Sequence, residues 1–136
     1  MPFKHDMTQR GWKLLEDVDE EPPEISIRDL EFVSYLRPRE HMIGGPLLLE
    51  RSQELGAKFG QIAAELLLPS QRTFPADWRI CKVLFPKTVW LDCDGNRRIP
   101  GWRWEYTVWR IYFPHLGNAF FDRDHVGVLR PRARLF

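Results

Sequence analysis

The chain of 136 residues has a single-domain length, with 43% apolar and 29% charged residues and a net charge of +1. A chain of this size buries one core without metal or disulfide support. No apolar run approaches the roughly 18 residues of a membrane-spanning helix, and MPFKHDMTQR lacks the apolar stretch of a secretory signal, so a cytoplasmic protein without membrane contact is expected.

The charge is unevenly placed. Nine basic and fourteen acidic residues precede Trp78, net −5, whereas eleven basic and five acidic residues follow from there, net +6. A cationic C-terminal half suits an acidic protein or a nucleic-acid backbone, or is satisfied internally by the acidic N-terminal segment.

In chain order, residues 1–24 contain EDVDEEPPE, which gathers acid around two prolines without an apolar period. The segment reads as a mobile or loosely docked arm that Trp12, Leu14 and Leu15 pin to a single domain over residues 25–136. ISIRDLEFVSYL, from Ile25, reads as a strand or a strand with a helical turn. After Gly44 and Gly45, Pro46 suits a first helical turn and Pro69 a stop. Between them Leu48, Ser52, Leu55, Phe59, Ile62 and Leu66 alternate steps of four and three, which draws one helical stripe. Gly56 and Gly60 interrupt it, each costing up to ~1 kcal/mol relative to Ala, so two helices joined near Gly56 are as well supported as one.

From Trp78 onward the chain is rich in tryptophan, isoleucine and valine, with breaks at Pro86, Asp94-Gly95 and Glu105 to Thr107. This pattern predicts an antiparallel meander, with a last short strand around Val126 to Leu129. Five of the six tryptophans fall between Trp78 and Trp109. Cys81 and Cys93 lie on consecutive predicted strands, and a hairpin centred on Lys87 would set them opposite each other. Two half-buried free thiols in a reducing compartment is the plainer reading.

GWRWEYTVWRIYF changes phase midway: Trp102 and Trp104 share a face with Val108, while Trp109, Ile111 and Phe113 occupy the alternate positions. A fold-back across Glu105 to Val108 would put Trp104 opposite Trp109 and Trp102 opposite Ile111, bringing four apolar side chains to one face. Tyr-Thr is poor chemistry for a tight turn, so a four-residue loop is favoured over a two-residue one. The elements together predict an α+β domain, an antiparallel meander of three to five strands covered by one helix or a helical pair. Curling toward a small open barrel is the variant.

The run IGGPLLLERSQELGAKFGQIAAELLL, then PADWR, VLFPKTVWLDCDGNRRIP, a Trp-rich strand and a closing VLRPR resembles a family of small uncharacterised bacterial proteins from environmental genomes. The resemblance runs from about Ile25 to Arg132. It implies a shared domain and a Gly-containing turn where this chain has Glu105 to Thr107, which favours the fold-back. It implies no activity.

Three constellations bear on function. Arg97, Arg98, Arg103 and Arg110 on the strands, with Arg130, Arg132 and Arg134 near the end, make the basic sheet face and tail of a non-catalytic binding or regulatory module. An acidic protein is the expected partner, with nucleic acid as the other anionic candidate. The alternative is a winged-helix DNA binder, since Ser52, Leu55, Gly56 and Ile62 match helix-turn-helix spacing, although QIAAELLL offers base edges little beyond Gln61 and Glu65. A second alternative is a metal-dependent hydrolase built on His115, Asp122, Asp124 and His125, whose spacing matches no compact metal motif. DCDGN is explained by its glycine turn. No catalytic residue, resident metal or cofactor is expected.

Overall fold

The computed structural model describes residues 3–18, 25–117, 119–121 and 125–132. Among the described residues two α-helices and ten strands build an α+β fold. The largest sheet has five strands in the order β2 (Leu30–Ser34), β10 (Val126–Pro131), β4 (Lys82–Leu84), β7 (Gly101–Glu105), β8 (Val108–Tyr112). It is antiparallel except between β10 and β4, and it stays open, with β2 and β8 as its edges. A smaller sheet orders β1 (Lys13–Glu16), β5 (Val89–Leu91) and β6 (Arg97–Arg98), and β3 (Met42–Gly44) pairs with β9 (Ala119–Phe121).

Strand periodicity gives the large sheet two apolar faces over most of its width. Val83, Trp102 and Ile111 are cross-strand partners on one face, and with Leu30, Leu129, Trp109, Phe74 and Trp78 they pack beneath α2 (Gln61–Leu67). Phe74 stacks on Trp102 at 4.7 Å, Phe85 meets the same ring edge-on at 4.7 Å, and Trp102 Nε1 donates to the Ala64 carbonyl at 3.1 Å. On the other face Val126, Val128 and Leu84 pack with Leu48 of α1 (Gly45–Glu54), Ile43, Val89, Ile99 and Phe120.

The helical region divides at Gly56. Its φ of +77° suits glycine, Gly56 N–H bonds the Gln53 carbonyl and Ala57 N–H bonds the Ser52 carbonyl, a paired closure that ends α1. Because α2 restarts after Gly60, the apolar stripe loses phase there: Leu48, Ser52, Phe59 and Ile62 are buried, but Leu66 is 53% exposed.

The Trp-rich hairpin has the expected register, with Trp104 opposite Trp109 and Trp102 opposite Ile111. The loop is tighter than expected. Glu105 pairs with Val108, leaving only Tyr106 and Thr107 in the turn, and Tyr106 takes φ +59°. A tyrosine bears that conformation because four aromatic and aliphatic partners behind it fix the register. The hairpin expected around Lys87 does not form, because β4 and β5 diverge into different sheets. Cys81 is buried just before β4, Cys93 is exposed in the turn after β5, and both are free. Burial, with Asp77 nearby, pushes the Cys81 thiol up.

The first part of the N-terminal segment is built into the fold, whereas residues 19–24 lie outside the described residues. β1 pairs with β5, and Trp12 meets Phe113 edge-on at 5.8 Å. Leu14 and Leu15 do not pin it, being 42% and 47% exposed.

Tyr106 is 89% exposed, so its side chain contributes little packing. Tyr106→Gly removes a left-handed strain worth about 1–2 kcal/mol, partly offset by the entropy of an unfolded glycine. A net gain of about 1 kcal/mol in urea denaturation is expected, and a lower midpoint would contradict the turn.

Candidate functional site

The uncovered end of the large sheet carries a row of cations. Lys82 is the cross-strand partner of Arg103, and Arg103 of Arg110, so three basic residues stand side by side across β4, β7 and β8. The row follows from the hairpin: once Trp102, Trp104 and Trp109 turn to the core, alternation sends Arg103 and Arg110 to the opposite face. Arg103 lies 4.9 Å over the Tyr112 ring and its Nε is 3.5 Å from Glu105. Arg110 is exposed and makes no ion pair among the described residues. Like charges placed directly across a sheet destabilise it, so the row persists against a local cost.

The remaining sequence-predicted arginines do not join this row. Arg98 sits on the small sheet, where its Nε donates to Asp92 at 2.7 Å, its Nη1 donates to the Phe113 carbonyl at 2.9 Å and its guanidinium lies 5.4 Å over Trp12. Arg97 is exposed beside it. Arg130 reaches Glu31 at 2.7 Å and Arg132 Nε donates to the Leu30 carbonyl at 3.0 Å, so both brace the β2 edge. Arg134 lies outside the described residues. Lys82 was missed by sequence reasoning; the alternation of KVL was its only signal, and that needs the register of β4 against β7 to be read.

Asp92 organises the turn after β5. Its Oδ1 accepts from the N–H groups of Asp94 and Asn96, each at 2.9 Å, while Gly95 takes φ +81°. The Arg98 hydrogen bond, reinforced by these amides, holds the Asp92 carboxyl below its usual range.

A second concavity, also unseen in the sequence, lies between the N-terminal segment and β8. This open cleft of about 630 Å³ is lined by Lys4, His5, Asp6, Arg10, Trp12, Arg98, Ile111, Tyr112 and Phe113, among others. Buried Glu65 anchors its wall by accepting from the backbone N–H groups of Lys4 (2.9 Å) and His5 (2.7 Å), with His5 Nδ1 at 2.8 Å.

The helix-turn-helix residues serve packing. Ser52 donates to the Leu48 carbonyl at 2.7 Å and stands 3.1 Å from the Tyr35 hydroxyl, whose ionisation burial pushes up. Leu66 is the one exposed residue of α2, which leaves that helix no polar face for a DNA groove. Of the metal candidates, Asp122 and Asp124 lie outside the described residues. His115 Nδ1 accepts from Gly117 N–H at 2.7 Å, and exposed His125 precedes β10 on a separate element. Among the described residues no group of three or more His, Cys, Asp or Glu could hold a metal ion, and no helix is long and apolar enough to cross a membrane. No protein-family model, curated protein or solved structure matches the chain.

Because the folded-state pKa of Asp92 is depressed, its contribution to stability is present above the ordinary carboxylate range and is lost as the pH falls through the folded value. Asp92→Asn is expected to lower stability at neutral pH and to flatten the acid limb. Urea unfolding at stepped pH measures both; parallel wild-type and variant curves would remove Asp92 from its proposed role.

Proposed function

We propose that this protein is a non-catalytic binding module that docks an acidic protein surface on the Lys82–Arg103–Arg110 row. The observation that carries the reading is the cross-strand placement of these three cations on one sheet face, with Arg103 and Arg110 exposed. Arg103 and Arg110, directly opposed across the hairpin, repel each other in the free protein and are relieved by an anionic partner, and the planar fork of arginine pairs bidentately with carboxylates.

A protein partner is favoured over nucleic acid by the state of the aromatic rings. Trp102 and Trp109 are buried, Arg79 lies 4.4 Å over Trp104 and Arg103 lies 4.9 Å over Tyr112, so among the described residues of the hairpin only Tyr106, at its tip, presents an exposed ring for stacking a base. We take the compartment to be the cytoplasm, where two free thiols persist.

Arg110→Glu separates binding from folding. It converts the Arg103–Arg110 pair into an opposite-charge pair, worth about 0.2–1 kcal/mol of added stability, while reversing one charge of the row. Retention on immobilised poly-L-glutamate at low salt should fall about tenfold in affinity as the unfolding midpoint holds or rises. Undiminished retention would overturn the reading, as would stronger retention of wild type on single-stranded DNA than on poly-L-glutamate.

A further inference from the structure

The exposed edge of β8 offers a different kind of site. Backbone groups of an edge strand point alternately toward the neighbouring strand and outward. The outward positions are marked by their partners: Gln71 Oε1 accepts from Trp109 N–H at 2.8 Å, Gln71 Nε2 donates to the Trp109 carbonyl at 3.4 Å, and Arg98 takes the Phe113 carbonyl. Ile111 lies midway, in the same phase, and neither its N–H nor its C=O is bonded by a described residue. The Gln71 amide already pairs with Trp109 as a peptide group of an added strand would, and Ile111 presents the same donor and acceptor one register further on.

Ile111 opens into the 630 Å³ cleft, a volume within the range of ligand sites. Lys4 and Arg10 supply positive charge there beside the Arg98–Asp92 ion pair, against the single carboxylate of Asp6, which accepts from Thr8 N–H at 3.0 Å and Thr8 Oγ1 at 2.6 Å. Trp12 and Phe113 give the cleft an apolar wall.

We propose that this cleft binds a short acidic peptide in extended conformation, added to the large sheet as a strand beside β8. The main chain of the peptide exchanges hydrogen bonds with Ile111, its carboxylates face Lys4 and Arg10, and an apolar side chain between them rests on Trp12 and Phe113. A second copy of this chain is the poorer occupant, since antiparallel pairing of β8 with itself about Ile111 would set Arg110 opposite Tyr112 and bring no carboxylate of that strand to Lys4 and Arg10. The inference stands on the strand edge and the cleft, independently of the Arg103–Arg110 row.

The test is a titration of the full chain with an acetylated, amidated pentapeptide alternating glutamate and valine, followed by amide hydrogen exchange and the Trp12 indole resonance. Saturation should slow exchange at Ile111 about tenfold or more and shift the Trp12 signal. The same peptide N-methylated on its backbone, and a version with lysine for glutamate, should each bind about tenfold more weakly or worse. The N-methylated peptide tests the pairing without altering the protein. Trp12→Ala should weaken the parent peptide similarly. Equal binding of the N-methylated peptide, unprotected Ile111 in the bound state, or no binding at millimolar peptide would overturn the proposal.

Discussion

A buried glutamine holds the parts of this molecule together. Gln61 is fully excluded from solvent, where an unpaired amide would cost about 1–3 kcal/mol, and its polar groups are taken by two distant segments. Its Oε1 accepts from Trp90 Nε1 at 2.7 Å, its Nε2 donates to the His5 carbonyl at 2.7 Å, and its backbone N–H donates to Thr88 Oγ1 at 2.8 Å. Thr88 in turn donates to Asp17 at 2.7 Å. One residue at the start of α2 therefore sets the N-terminal segment, the small sheet and the helix over the main core in mutual register. Gly60 before it permits the approach: a Cβ there would lie 2.3 Å from Thr88 Oγ1.

With that junction in place, the large sheet is covered on both faces except toward β7 and β8. The incomplete cover makes the cationic row and the β8 edge available. A rigid aromatic layer behind them, with Trp104 and Trp109 at 5.8 Å and Trp102 held against α2, keeps Arg103 and Arg110 in fixed relation. Arg51 plays a comparable role on the far side. Buried at 5% exposure, it donates to the Tyr35 carbonyl at 2.9 Å and forms a paired contact with Glu40, tying α1 to the loop after β2.

Local chemistry made some of this legible in advance. The phase change between Trp102 and Phe113 has one economical solution, since only a fold-back brings both apolar sets to the same face. Gly56 and Gly60 marked the break between helices. The tightness of the Tyr106 turn was not readable, because turn propensity argued against it and distant packing overrode that preference. β1 was hidden for a different reason. All four of its residues are exposed, so backbone pairing to β5 holds it and leaves no alternation to detect. The site suffered most from long-range pairing: arginines that look equivalent along the chain are dispersed by it, with Arg130 and Arg132 spent on the β2 edge and Lys82 brought in from a strand some twenty residues away.

The position of β10 carries a further consequence. The last strand among the described residues lies inside the large sheet, parallel to β4 and between it and β2. Its neighbours were synthesised far earlier, so β2 and the hairpin half of the sheet cannot be joined until Val126 to Pro131 emerges. During translation the chain must hold two separate sheet fragments with apolar flanks, a topology rich in non-local pairing and correspondingly slow to fold. Chaperone dependence and sensitivity to lesions in VGVLRP should thus exceed what the small size of the domain suggests.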